Sequence, residues 1–253
     1  MTMTHALSDS ATMVRRVMRH TTRNPTTLVM AIVLPSALLL LLDFGFGGAI
    51  VTGGRYVDYL VPGIIIMGAT YSASATAVAV ATDSSAGIIA RFRTMAIARS
   101  AVLSGHVVGS TLRALLGTAL VVVLALAIGF RPTAGPAGWL AATGLVTLML
   151  FGIAWLATAI GLFTGNATAA ASLAGLLQLL PFLSGAFVPT ETMPGWLQAF
   201  TANQPMTHIV AAVRGWFLGA PVGDHGWIAV AWCTGIALAG FLWARRAYTS
   251  RKS

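Results

Sequence analysis

No charged residue stands between Arg131 and Glu191, and this uncharged interval constrains the fold more than any other feature of the chain. A helix rises about 1.5 Å per residue, so crossing the ~30 Å hydrocarbon core of a membrane takes ~20 mostly apolar residues. The interval is too long for one crossing, and the turn-forming sequence Thr-Gly-Asn at 164–166 divides it. We therefore predict two transmembrane helices here, at about 138–163 and 167–188.

Apolar intervals bounded by charged residues also fill most of the remaining chain. Only 8% of the 253 residues are charged and 57% are hydrophobic, which is too little charge for a soluble domain of this size. The single cysteine, Cys233, lies in an apolar interval, so neither a disulfide framework nor a cysteine-based metal site is expected. We predict an all-α integral membrane protein with a transmembrane domain at 25–246 and a cytoplasmic tail at 247–253. Its six transmembrane helices are expected at about 25–45, 59–82, 106–130, 138–163, 167–188 and 226–246.

The distribution of basic residues predicts the orientation. With a cytoplasmic N-terminus, twelve of the fifteen Lys and Arg residues fall on the cytoplasmic side, and only Arg55, Arg131 and Arg214 lie outside. The net charge of +9 therefore reflects the positive-inside rule, and no nucleic-acid partner is expected. We predict a multi-pass protein of a bacterial plasma membrane with both termini in the cytoplasm.

The N-terminal residues 1–24 form a cytoplasmic segment of their own. Apolar residues recur there at helical spacing over 8–23, with arginines on the opposite side. This pattern predicts an amphipathic helix lying on the lipid surface. A plain basic anchor is the other reading.

The outer segment between the fifth and sixth helices is too polar to span a membrane and too apolar for an ordinary loop. Prolines at 189, 194 and 205 divide it, and aromatic residues such as Trp196 suit the membrane interface. We predict two short re-entrant helices that cap the bundle; a plain surface helix is the alternative. The candidate residues of this outer gate are Pro189, Glu191, Pro194, Trp196, Asn203, Pro205 and Arg214.

Few polar groups are expected at membrane depth. Asp43, Tyr71 and Gln178 are weak candidates for a substrate path, although an interfacial acid and a helix-packing glutamine explain two of them equally well. Arg113 is expected to reach the inner interface.

No phosphate-binding loop of the form GxxxxGK[ST] occurs, so this chain should not hydrolyse nucleotides itself. A proton-coupled drug antiporter and an integral membrane lipid-modifying enzyme remain as alternatives, each lacking the titratable or catalytic cluster it needs.

The loop between the second and third helices is a charged island at 83–105, with three arginines within nine residues. It also carries an apolar anchor, formed by Ile88, Ile89, Phe92, Met95 and Ile97. An apolar anchor with a charged rim is how a modest protein interface is built, so the loop suits docking to a separate protein. Attachment to anionic headgroups is the alternative.

Four segments together carry a family resemblance: FGFGGAI at 44–50, YVDYLVPGI at 56–64, the island at 83–105, and the outer segment at 182–219. In this order and spacing they resemble the type-2 ABC transporter permeases, especially the daunorubicin-resistance branch. Relatives often have a proline at the position of Ala96 and a glutamate just after that of Asp83, where Ser84 and Ser85 stand here.

The resemblance implies a six-span subunit of an exporter rather than an enzyme. It implies a second permease copy, identical or related, and two copies of a separate subunit that binds ATP and Mg²⁺; no cofactor is expected in this chain. The cargo would be a hydrophobic or amphipathic drug, polyketide antibiotic or lipid. The island would contain the cytoplasmic coupling helix, whose docking residues by resemblance are Asp83, Gly87, Arg91, Phe92, Arg93 and Arg99.

Overall fold

The computed structural model describes residues 25–50, 54–86 and 99–250, and every regular element in these ranges is helical. The predicted interfacial helix at 1–24 lies outside the described residues. The α-helices are α1 (Pro25–Phe46), α2 (Tyr56–Ser85), α3 (Arg99–Ile128), α4 (Pro136–Thr164), α5 (Ala167–Gly175), α6 (Gly195–Asn203), α7 (Pro205–Leu218) and α8 (His225–Ser250). Two 3₁₀ turns, Leu176–Leu179 and Thr190–Thr192, complete the elements.

Four of these helices are long and apolar enough to cross a membrane: α2, the Leu103–Ile128 part of α3, α4, and the His225–Thr249 part of α8. Two shorter apolar helical stretches, Ile32–Phe46 and Ala167–Leu179, accompany them. The chain is therefore a multi-pass helical membrane protein. The helix α8 continues to Ser250, into the region predicted as a tail.

The stretch predicted as one helix at 167–188 is interrupted in the structure. The helix α5 begins at the Asn166 cap, whose side chain accepts hydrogen bonds from the backbone of Thr168 and Ala169, and it ends at Gly175. The chain then tightens into the 3₁₀ turn and a series of turns with three-residue hydrogen bonds, such as Ser184 N to Pro181 O at 3.2 Å. Because Pro181 has no backbone N–H, it cannot continue a regular helix through this point.

The helices α2 and α4 form the centre of the bundle. In the most apolar stretch of each helix, 61% of the residues are buried in α2 and 78% in α4. The corresponding shares are only 22% in α3 and 28% in α8. The small residues Ala69, Ala73, Ala77 and Ala81 of α2 are all buried, as their four-residue spacing predicts. A Cβ atom on Gly161 of α4 would lie 2.5 Å from the carbonyl oxygen of Ala77, so only glycine permits this close approach.

Two short helices, α6 and α7, follow the interrupted stretch, as expected for the outer segment. Prolines set their starts, because Pro194 immediately precedes α6 and Pro205 is the first residue of α7. Gly219 ends α7 in a left-handed conformation, with φ 63°. These short helices lie at the end of the bundle where α2 begins.

Candidate functional site

An irregular stretch at residues 183–187, here called the clamped segment, lies at the end of the bundle where α2 begins and accepts hydrogen bonds from several side chains. We call this end the outer end, after the predicted orientation. Ser184, Ala186 and Phe187 in it are buried although the backbone is not helical. Backbone carbonyls without a regular partner are tolerated at membrane depth only where other protein groups satisfy them. The clamped segment therefore depends on side chains from elsewhere in the fold.

Two tyrosines near the start of α2 supply part of this bonding. The Tyr56 hydroxyl donates to the carbonyl oxygen of Phe187 at 3.0 Å, and the Tyr59 hydroxyl donates to that of Gly185 at 2.9 Å. Their rings lie parallel, with centroids 6.5 Å apart. One face of α2 thus binds the clamped segment through the carbonyl groups of two residues, Gly185 and Phe187, that are two positions apart.

Arg214 of α7 binds the same segment, next to Tyr59. Its Nη2 donates to the carbonyl oxygens of Gly185 (3.0 Å) and Ala186 (3.3 Å), and Nε and Nη2 both donate to the carbonyl oxygen of Tyr59. The guanidinium also lies over the Tyr59 ring, 3.5 Å from its centroid. One side chain therefore joins α7, the start of α2 and the clamped segment.

The end of α6 and Gln204, which joins α6 to α7, add a third attachment. The Thr201 hydroxyl donates to the carbonyl oxygen of Leu183 at 2.9 Å, and the Gln204 amide donates to the same oxygen. Thr201 is fully buried and Gln204 is 5% exposed. The outer helices and the clamped segment therefore form one unit through side-chain to backbone bonds.

Of the seven predicted outer-gate residues, Arg214 alone makes a described hydrogen bond to residues outside the segment 189–219. Asn203 donates within α6 to the carbonyl oxygen of Ala199, and Glu191 accepts from neighbouring Thr190. Trp196 is 76% exposed, as an interfacial side chain would be. Pro189, Pro194 and Pro205 set the boundaries of the 3₁₀ turn, α6 and α7.

Sequence reasoning did not single out Tyr56, Tyr59, Thr201 or Gln204. Tyr56 stands 131 residues and Tyr59 stands 126 residues before its acceptor, so no local pattern connects donor and acceptor. Only the fold brings these groups together.

A second feature is a cavity of about 170 Å³ between α1, α2 and α3. Apolar residues form most of its wall, while Tyr71, Ser72, Thr118 and Arg113 are polar. Arg113 also donates to the hydroxyl of Thr76 at 3.5 Å. The lining residues are Leu34, Pro35, Ile64, Ile65, Gly68, Tyr71, Ser72, Ala75, Arg113, Ala114, Gly117, Thr118 and Val121.

The three predicted substrate-path residues are not brought together. Tyr71 lines the cavity. Asp43 lies near the end of α1 and Gln178 lies in the 3₁₀ turn after α5, and neither belongs to the cavity wall. Both are half-buried.

The opposite end of α2 carries Asp83, the first predicted coupling residue. Its Oδ2 lies 3.3 Å from Nε2 of His106 in α3. At the far end of the same two helices, Asp58 accepts a hydrogen bond from the Arg131 backbone at 3.0 Å. From Asp58 to Asp83 is about 37 Å of helix, more than the ~30 Å core, so these two pairs lie on opposite sides of a bilayer.

Most of the predicted docking element lies outside the described residues: Gly87, Ile88, Arg91, Phe92, Arg93, Met95 and Ile97. Arg99 is the first residue of α3. The island therefore connects two helices that both extend beyond the core at the Asp83 end.

A histidine pair lies at the outer end. Nδ1 of His208 in α7 and Nδ1 of His225 at the start of α8 are 2.9 Å apart, and the rings are tilted with centroids 5.1 Å apart. Burial, and secondarily the proximity of His225, lowers the pKa of His208 below its ordinary value of 6.5. Within the described ranges, no three His, Cys, Asp or Glu residues group to hold a metal ion.

The packed apolar helices define the molecule as a polytopic helical membrane protein. Residues 10–218 match the ABC-2 type transporter family, and the chain belongs to that family. It is 31% identical over 212 residues to a daunorubicin resistance ABC transporter permease, DrrB1, of Streptomyces coeruleorubidus, covering 83% of this chain and 75% of the relative. It is 26% identical over 225 residues to a probable doxorubicin resistance ABC transporter permease, DrrC, of Mycobacterium tuberculosis, covering 88% and 82%.

Proposed function

We propose that this chain is the membrane subunit of an exporter driven by a separate ATPase. Two permease copies and two ATPase copies would form the working unit, and ATP and Mg²⁺ would bind to the ATPase. The observation that carries the proposal is the family match across 10–218, which includes the whole charged island. The six crossings, both cytoplasmic termini and a bacterial plasma membrane belong to the same proposal.

The island is the element through which the ATPase would act. The ends of α2 and α3 that flank it are tied by Asp83 and His106, so a force on the loop would reach both helices together. The helix α2 is central in the bundle and its far end contacts the clamped segment. A rigid displacement of α2 would therefore move the outer unit, and this movement is the proposed route from ATP hydrolysis to opening of the cargo path.

The cargo would be a hydrophobic or amphipathic compound, because few polar groups stand in the apolar intervals of the sequence. The name of the Streptomyces relative points to daunorubicin, which is fluorescent and amphipathic, as a first probe. Drug-sized ligands usually occupy pockets of about 300–1,000 Å³. The 170 Å³ cavity of one chain is smaller, so the cargo path would be formed between two permease copies.

Co-expression with a candidate ABC-type ATPase subunit from the same organism tests the assembly. A tagged permease should retain the ATPase through size-exclusion chromatography, and the complex in proteoliposomes should hydrolyse ATP faster when daunorubicin is added. Failure of the two proteins to co-purify from cells that express both would overturn the assembly.

A further inference from the structure

The helices α2 and α3, which form two walls of the cavity, pack in a regular antiparallel register. Three contacts join them: Asp58 with the backbone of Arg131, Thr76 with Arg113, and Asp83 with His106. Between successive contacts the two helices advance by the same number of residues in opposite directions. Tyr71 and Thr118 each stand five residues from the middle contact, on its Asp58 side, so they lie at the same level.

The polar residues of the cavity gather at one end. Tyr71 and Ser72 of α2 and Thr118 of α3 lie within five residues of the contact between Thr76 and Arg113, which is about 7.5 Å of helix. The other lining residues are apolar, and at the far end those of α2 are isoleucines. The cavity is therefore amphipathic along its length.

The helices do not use the hydroxyl groups at this polar end. Serine and threonine hydroxyls in a helix commonly bond to a carbonyl of the preceding turn, as those of Thr76 and Thr111 do. Among the described residues, the hydroxyls of Tyr71, Ser72 and Thr118 have no hydrogen-bond partner, and their oxygens are not sealed in the core. These three groups are therefore available to a molecule that enters the cavity.

The charge and the volume of the cavity define the ligand. Arg113 is the charged member of the lining set, which contains neither Asp nor Glu. A guanidinium binds a carboxylate through two parallel hydrogen bonds, and hydroxyl groups can donate to the same oxygens. A cavity of about 150 Å³ holds one benzene molecule. The volume of about 170 Å³ therefore admits one ring with a carboxylate and excludes a lipid or a drug-sized compound.

We propose that this cavity binds a small amphipathic carboxylate. Its anionic group would bind Arg113 and the hydroxyls of Ser72 and Thr118, and its hydrocarbon body would lie between α1 and the isoleucines of α2. The site belongs to a single chain and is separate from the cargo path of the proposed exporter. Because α2 and α3 flank the charged island, a bound carboxylate would join the two helices on which the ATPase is proposed to act.

The test uses the full-length permease in nanodiscs of phosphatidylcholine, without ATPase or cargo, so its outcome is independent of export. Photolabelling by 4-azidobenzoate is compared with labelling by its uncharged analogue 4-azidobenzamide, and labelled peptides are mapped by mass spectrometry. Labelling of 64–75 and 114–121 should favour the carboxylate by about tenfold, the effect of one hydrogen bond between charged groups. Excess benzoate should compete with the probe, and excess benzamide should not.

Variants of the polar end test the charge and the hydroxyls separately. Arg113→Gln should reduce labelling by azidobenzoate to the level of the amide, whereas Arg113→Lys should keep part of the preference. Thr118→Val retains the shape of the side chain and removes its hydroxyl, so labelling should fall about threefold. Arg245→Gln and Thr249→Val, at exposed positions of α8, are the matched controls and should change nothing.

A third variant tests the shape of the cavity. Gly117→Leu should block both probes, because a Cβ there meets nothing within 4 Å and the added side chain fills the cavity. Gly235→Leu, with similarly open space around its Cβ, is the control.

Equal labelling of 64–75 and 114–121 by the two probes would overturn the assignment, as would a preference for the carboxylate that survives in Arg113→Gln. Size-exclusion profiles and melting temperatures identify the variants that fold. A folded Gly117→Leu variant that still labels at these two stretches would exclude the cavity as the site.

Discussion

The guanidinium of Arg214 lies 3.5 Å from the centroid of the Tyr59 ring and also donates two hydrogen bonds to the carbonyl oxygen of Tyr59. The same Nη2 atom reaches the carbonyl oxygens of Gly185 and Ala186. A residue of the outer segment therefore fixes both the central helix α2 and the clamped segment. The outer end of the protein is coupled to α2 through this contact.

Arg214→Ala should destabilise the outer unit strongly, because it leaves three carbonyl oxygens without their charged donor. A hydrogen bond to a charged group contributes about 1.5–3 kcal/mol, so we expect the melting temperature to fall by roughly 5–10 °C. Arg214→Lys should recover little, since one ammonium cannot reproduce the fork of donors. The exposed Arg246→Ala is the control, and an equal melting temperature for Arg214→Ala and wild type would refute the role of the clamp.

Cysteine accessibility should establish the orientation. Thr133 in the loop after α3 and Ser85 at the end of α2 are both exposed, whereas the native Cys233 is buried and should stay unlabelled. A membrane-impermeant maleimide should label Thr133→Cys in intact cells and Ser85→Cys only after permeabilisation. The reverse pattern would place the charged island outside the cell and exclude an intracellular motor.

The histidine pair should make stability depend on pH. Since the folded pKa of His208 lies below its ordinary value of 6.5, the unfolded chain binds the proton more readily. Stability should thus be full above pH 6.5 and decrease as the pH falls through that value towards the folded pKa. Melting temperatures of the purified protein between pH 8 and 5.5 measure this, and His208→Asn should flatten the curve. If the melting temperatures of the variant and the wild type depend on pH in the same way, His208 is not the source of the pH dependence.

The island should transmit the action of the ATPase. Arg91→Glu combined with Phe92→Ala removes an apolar anchor and reverses a rim charge, so stimulation of ATP hydrolysis by the permease should be lost. The control is Arg245→Glu, an exposed charge reversal elsewhere. Stimulation at the wild-type level in the double variant would mean that the ATPase docks at another surface.

Much of the helical framework follows from the sequence, because long apolar intervals between charges leave the backbone no alternative to helices in a membrane. Thr164, Gly165 and Asn166 likewise marked the end of α4, where Gly165 adopts a left-handed conformation with φ 58°. These signals are local and periodic, so the composition and the spacing of residues were enough to predict the helices and this turn.

The interruption after Gly175 and the clamp that satisfies it were not predictable in the same way. The sequence 167–188 is apolar enough for a continuous helix, and its departure becomes tolerable only when Tyr56, Tyr59 and Arg214 supply donors. The contact of Asp83 with His106 is a further example, since it joins two helices across a loop. Tertiary hydrogen bonds of this kind join residues far apart in the chain, so the spacing of residues in the sequence does not predict them.

ATP-dependent transport tests the central claim most directly. Inside-out membrane vesicles that contain the permease and the ATPase that co-purifies with it should accumulate daunorubicin, the amphipathic fluorescent probe, when ATP is added, and vesicles with either subunit alone should not. Accumulation should persist when a protonophore collapses the proton gradient. Uptake that needs no ATPase and disappears with the protonophore would contradict the account, because it would identify a proton-coupled carrier.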